Sequence, residues 1–427
     1  MSKTVGDSLY AVSSAILPFR ELSNEMQAML LAARPQDDPD QQAQLAELCG
    51  RHGFNWERLV HLALHHSLGS LVHAGLGRCC PMVVPTKMRA LLQQQSMTNA
   101  FRAFRWMREV ARLSDAFAKA GYLVAVLKGV PLSEQLYGSA HARHVGDIDL
   151  LIAPQSIPST VLAQIELFRS LGYTRINPAV ELTPRRMHSY ARFWKDITFQ
   201  NTKDDFDLDL HWRLFNHRMH PANRLLKDAR FFPQTSLGCT VLTLPPEDQF
   251  LHVAAHGVSD AWIYLKSLAD VAGFLALLTP AQLESALRRA QDLGLLKQVS
   301  AAIHLSNEWM GSRATSRMLL PQTEPLAQEL HSSVSHLLRN YHFTPTRDDR
   351  APAAWVRLER AIVPGVRPLL ENFSRLLWRP RVWKRFNLPD RLFWLYPFLA
   401  LILLPRAESL WRRIPAVRAG AAKQSDL

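Results

Sequence analysis

The sequence predicts an α+β fold in which one α/β block in the middle of the chain is flanked by helical regions. Three observations carry this. Apolar residues recur at three- and four-residue spacing before about residue 116 and again after about residue 215, as amphipathic helices require. Only between those points do short aliphatic or alternating runs appear, bounded by glycine, proline or polar turns. The 427 residues, 48% hydrophobic and 20% charged, have the balance of a core-forming chain with room for more than one unit, which excludes disordered and collagen-like classes. The expected division is an N-terminal helical region 1–115, an α/β core 116–215, a helical domain 216–345 and a basic, apolar C-terminal region 346–427.

Taken in order, residues 36–48 begin as a polar, Pro-containing connection, and FNWERLVHLALHHSLGSLVHAGL then reads as an amphipathic helix pair. A long helix follows from Phe101, with Phe101, Phe104, Met107, Val110, Leu113 and Phe117 on one face and Gly121 at its end. Leu123–Leu127 is a strand, Lys128-Gly129 a tight turn, and PLSEQLY a helix opened by Pro131 and closed by Gly138. HVGDIDLLIAP is a second strand and SIPSTVLAQIELFRSLGY a helix. DITFQ and FDLDLHW are strands joined by the polar turn NTKDD. Beyond this block the pattern returns to helix, through PPEDQFLHVAAHG and SDAWIYLKSLADVAGFLALL to about residue 342.

Alternation along a strand places Asp147 and Asp149 on one face, with Ile148, Leu150 and Ile152 on the other. In the later strand Asp207, Asp209 and His211 share a face opposite Phe206, Leu208 and Leu210. Like charges so close repel unless a divalent cation sits between them, and oxygen ligands suit Mg²⁺ or Mn²⁺. If the two strands are neighbours, their carboxylates converge on one or two metals, a two-metal arrangement for phosphoryl-type transfer. Gly129 lets the backbone approach a phosphate at a helix N-terminus, and Lys128 and Arg143 supply cations on either side. The alternative is that such Asp residues form a solvated strand edge.

The run LKGVPLSEQLYGSAHARHVGDIDLLI, with the later LDLHWRL, resembles the uncharacterised nucleotidyltransferase family of the polymerase-beta-like nucleotidyltransferase superfamily. The matching positions are Lys128, Gly129, Tyr137, Arg143, Asp147, Asp149, Asp209, His211 and Trp212, and the likeness extends over about residues 45–280. The resemblance implies a small mixed sheet with helices packed on it and transfer of a nucleoside monophosphate from a nucleoside triphosphate. Asp147, Asp149 and Asp209 would be the metal carboxylates, with Asp209 also helping to deprotonate an acceptor hydroxyl. Where the superfamily turn usually continues with Gly or Ser, this chain has Val130. Neither base nor acceptor is implied. The rival readings are a DxD glycosyltransferase, which gives the DLDLHW strand no role, and a degenerate relative that binds a nucleotide or partner without turnover.

The remaining signals are weaker. His61/His65 and His252/His256 have i, i+4 spacing without an HExxH glutamate, so packing is expected over zinc. Lys266 and Asp270 read as an ordinary surface pair. Cys49, Cys79, Cys80 and Cys239 form neither a disulfide framework nor a zinc knuckle, and with an N-terminus unlike a signal peptide they lead to the expectation of a cytoplasmic protein. Formal net charge is +13, and residues 351–427 carry 14 Lys+Arg against 5 Asp+Glu. Their apolar run 392–404 is too short to cross a bilayer, so burial is expected, with peripheral contact to an anionic membrane the alternative.

Overall fold

A computed structural model describes residues 18–35, 38–152, 159–201, 206–215, 232–312 and 366–403. The α+β class holds: a seven-stranded mixed sheet is flanked in sequence by helices. Helices α1 (Asn24–Ala32), α2 (Pro39–Gly50), α3 (Trp56–His65) and α4 (Gly69–Cys79) come first, then the long α5 (Thr86–Lys119). Ser23, Asp38 and Asn55 cap α1, α2 and α3 through side-chain oxygens, satisfying N–H groups that have no partner inside the helix.

The sheet region runs β1 (Val124–Val126), α6 (Val130–Tyr137), β2 (Ile148–Ile152), α7 (Ser159–Ser170), β3 (Thr174–Asn177), α8 (Pro184–Phe193), β4 (Asp196–Asn201) and β5 (Phe206–His211). It continues with β6 (Phe232–Ser236) and β7 (Cys239–Thr243). Strand order is β3-β4-β5-β2-β1-β7-β6, with β2/β5 and β1/β7 parallel and the other pairs antiparallel. The sheet therefore extends past residue 215, where only helix was expected. The hairpin β6–β7 turns at Leu237-Gly238, both at positive φ, and completes the sheet edge beside β1. Helices α9 (Pro246–Ser259), α10 (Lys266–Leu277), α11 (Pro280–Asp292), α12 (Leu296–Met310), α13 (Val366–Leu377), α14 (Pro380–Phe386) and α15 (Tyr396–Leu403) follow.

The contacts group the chain into two compact units, each discontinuous: the described parts of Met1–Gln93 with Phe250–Ile362, and of Gln94–Gln249 with Val363–Leu427. In the first, Asp270 is completely buried, so Lys266 and Asp270 are not the surface pair expected. The stretch to residue 342 beyond Ser312 lies outside the described residues, as do the NTKDD turn residues 202–205.

The second unit holds the sheet. Its core takes Ala103, Trp106, Met107, Val110, Leu113 and Phe117 from α5, while Phe101 and Phe104, expected on that face, are 66% and 56% exposed. The buried stripe is rotated toward Trp106, because that indole fills the space beneath the β1–α6 turn. Alternation is clean on β5, where Phe206, Leu208 and Leu210 are buried and Asp207 and Asp209 are half-buried. The C-terminal segment belongs to this core through Val382, Trp383, Phe393, Tyr396 and Ala400. Buried Arg186 on α8 fastens it, donating to Asn387 Oδ1, the Leu388 carbonyl and the Tyr396 hydroxyl.

Candidate active site

The β1–α6 turn is set by one glycine. Gly129 sits at φ 89° and ψ −141°, a conformation strained for any L side chain, and a Cβ there would meet the Trp106 ring at 2.3 Å. Trp106 is itself fixed, since its Nε1–H donates to the Asp147 carbonyl at 3.1 Å. One buried side chain thus supports both the turn and the start of β2. Gly138 closes α6 in the left-handed conformation, donating to the Glu134 carbonyl.

The segment from α6 to β2 is pinned from below. Asn99 donates to the carbonyls of His141 and Arg143 at 2.7 and 2.9 Å and accepts from the Val145 N–H at 3.1 Å. The Ser133 hydroxyl accepts from the Arg143 N–H and donates to the Ser139 carbonyl. Arg143 lies in this segment, 5% exposed, with Nη1 directed to the His144 carbonyl at 3.4 Å.

Parallel pairing of β2 and β5 aligns Asp149 with Asp209, and antiparallel pairing of β4 and β5 aligns Thr198 with Asp209 and Asp196 with His211. Directly aligned residues point to the same face, so acidic side chains from three strands meet. Single ligand atoms of Asp149, Asp209 and His211 lie within 4.8 Å of one another, the one such group of His, Cys, Asp or Glu among the described residues. His211 Nε2 is 3.1 Å from Asp149 Oδ1, and its Nδ1 is 3.8 Å from Asp196 Oδ2. Lys128 Nζ is 3.6 Å from Asp149 Oδ2, and Lys195 is paired with Asp196.

Asp147 stands apart from that group. It is exposed, immediately before β2, and its charge reaches Asp209 without its oxygens joining the 4.8 Å set. Asp196, Lys195 and Thr198 were not singled out from the sequence. Their signal was present in DITFQ, where Asp196, Thr198 and Gln200 alternate with the buried Ile197 and Phe199, marking a third polar strand face. The histidine pairs form no ligand group of this kind: His61 and His65 stack, and His256 Nδ1 meets Asp260 at 3.1 Å.

Electrostatics single out Asp209. Burial, reinforced by the charges of Asp196, Asp149 and Asp147, holds its carboxyl well above the ordinary range, against a lowering hydrogen bond from Thr198. For Asp196 burial acts in the same direction, but Lys195 and His211 outweigh it and its carboxyl is lowered. Asp209 Oδ1 is buried without a hydrogen-bond partner among the described residues. Such an atom is costly unless a cation completes it. Two aligned carboxylates, one carrying that open oxygen, are oxygen donors of the kind a hard divalent ion takes, and the imidazole beside them is a nitrogen donor that such ions favour less.

This imbalance makes a stability prediction. An Asp whose folded pKa is raised costs the fold stability as pH climbs from the ordinary 3.8 toward the raised value, because the folded state alone resists losing the proton. Asp209→Asn is expected to raise metal-free stability at neutral pH by about 1–2 kcal/mol, with the gain vanishing below pH 3.8. Thermal melting in chelator across pH checks it. A variant less stable than wild type at pH 7 would contradict the assignment.

The uncharacterised nucleotidyltransferase family matches residues 52–311, a span that contains every site residue above. No curated protein matches the chain. With Lys128, Gly129, Asp147, Asp149, Asp209 and His211 all inside the matched span on a mixed sheet, the chain belongs to the uncharacterised nucleotidyltransferases.

Proposed function

We propose that the protein transfers a nucleoside monophosphate from a nucleoside triphosphate to an acceptor, using Mg²⁺ or Mn²⁺ held by Asp149 and Asp209, with Asp147 and His211 at its margin. The observation that carries this reading is the open, buried Oδ1 of Asp209 set beside Asp149 by the β2/β5 register. A bound divalent ion would neutralise the carboxylates and offset charge developing on the phosphoryl oxygens.

The chain's own residues supply the rest. The Gly129 turn leads into α6, whose first turn offers backbone N–H groups and positive dipole to phosphate. Val130 carries no hydroxyl and is completely buried, and Lys128 is the cation next to Gly129 in the chain. Asp209, set beside Asp149 by the strand register, would orient the acceptor hydroxyl and help it lose its proton as it attacks. Arg143, buried within the α6–β2 segment, supports the triphosphate from that side.

The test is incubation of purified protein with each of four labelled triphosphates, Mg²⁺ and a cell extract, scored for pyrophosphate release and label transfer. Pyrophosphate formed with label on an acceptor supports the reading. Nucleoside diphosphate release from a nucleotide sugar would support the glycosyltransferase alternative, and binding without turnover the degenerate one. Lys128→Ala is expected to weaken binding of a non-hydrolysable triphosphate by ~10-fold, the scale of one charge-assisted contact. Unchanged affinity in a calorimetric titration would leave the phosphates to backbone groups.

A further inference from the structure

We propose that the exposed stripe of α15, together with the cationic face of α14, docks on an anionic lipid bilayer surface. The segment around α15 is two-faced. Phe393, Tyr396 and Ala400 are 5%, 0% and 4% exposed and complete the core, whereas Trp394, Phe398, Leu401 and Ile402 are 56%, 58%, 44% and 66% exposed. The second set recurs at four, three and one residues, which is a single helical stripe. The Trp394 and Phe398 rings meet edge to face, with centroids 6.2 Å apart. Helix α13, packed on α15, adds exposed Leu370 and Phe373 one turn apart. The burial expected for the run 392–404 is therefore met, over its described residues 392–403, on one side only.

Cations outnumber acids in the segment that carries this stripe. Arg381, Lys384 and Arg385 occupy neighbouring positions on α14, and Arg391 follows in the Asp390–Leu395 3-10 turn; all four are exposed. Among the described residues none of the four makes an ion pair with an acid. The acids of residues 366–403 are Glu371 and Asp390, and Asp390 accepts from the Thr183 hydroxyl at 2.8 Å. Four exposed cations on α14 and on the 3-10 turn, both of which contact α15, together with the exposed aromatic and aliphatic stripe match a surface that is anionic at its headgroups and apolar just beneath them.

The other occupants fit less well. A second copy would bring the cations against cations. Nucleic acid would pair with the cations but leave Leu401 and Ile402 in water. No helix among the described residues is long and apolar enough to cross a membrane, so α15 would lie in the plane of the headgroups with Trp394 at their level.

The experiment uses the full chain in sedimentation with phosphatidylcholine vesicles, with and without phosphatidylserine, at low and high salt. Salt-sensitive binding is expected only with phosphatidylserine. Phe398→Glu with Leu401→Glu should abolish it, and Arg381→Gln, Lys384→Gln and Arg385→Gln together should weaken it by about 10²-fold, both without lowering the melting temperature. Absence of binding at low salt, equal binding to neutral vesicles, or indifference to both sets of substitutions would overturn the proposal. So would a dimer in sedimentation velocity that Phe398→Glu dissolves, or tighter binding to single-stranded DNA than to the anionic vesicles. The proposal does not depend on the nucleotidyl-transfer reading.

Discussion

Asp149→Ala is expected to lower label transfer by ~10³-fold or more, at least as much as removing one preorganised transition-state donor. The size follows from position. Asp149 lies beside Asp209 in the parallel register and also holds His211 at 3.1 Å and Lys128 at 3.6 Å, so one carboxylate organises most of the cluster. Asp149→Asn keeps the shape and loses the charge, and it should fall as far as the alanine variant if charge toward a cation is what matters. Calorimetric titration with Mn²⁺ gives a second readout, in which both variants should bind weakly while their circular dichroism stays native. Wild-type transfer by Asp149→Ala would end the proposed mechanism.

Gly129→Ala is expected to destabilise the fold by about 2–5 kcal/mol, combining backbone strain with overpacking. Its Cβ would sit 2.3 Å from two ring atoms of Trp106, far inside van der Waals contact. Trp106 has no room to retreat, being 0% exposed and hydrogen-bonded to Asp147. A double-mutant cycle divides the two causes. In a Trp106→Leu background the alanine should cost less, and what remains measures the strain at φ 89°. Urea unfolding gives the four free energies. A cost below about 1 kcal/mol in the wild-type background would mean that the turn is not held as described.

Much of the candidate site was legible as local pattern. Gly129 and Gly138 were readable because a strand followed by a short helix needs a permissive residue at each end, and both take positive φ. Asp147 with Asp149, and Asp207 with Asp209 and His211, were readable as sharing a face within each strand because side chains alternate with a period of two, as in GDIDLLI and FDLDLHW. Other elements misled for an equally physical reason. Phe101 and Phe104 satisfy helical spacing, but spacing does not say which of two apolar stripes meets the sheet, and Trp106 under the turn decided it. The run 392–404 satisfied a core reading, yet over its described residues 392–403 one side is covered and the other is not.

By itself the sequence determined the α+β class, the glycine turn and the alternation that sets the carboxylates of each acidic strand on one face, because these depend on residues a few positions apart, although β2 proves buried on both faces. Only the tertiary structure decided that β2 and β5 are parallel neighbours in the register that sets Asp149 beside Asp209. It also decided that β4 brings Asp196 and Lys195 to His211, and that β6 and β7 extend the sheet. Strand pairing joins residues that can be more than 50 positions apart, as Asp149 and Asp209 are, and no local periodicity encodes which partner wins. The choice is made by the whole core at once, by which arrangement buries Trp106, Phe199, Leu208 and Tyr396 together, and the chemistry of the site is carried into place with it.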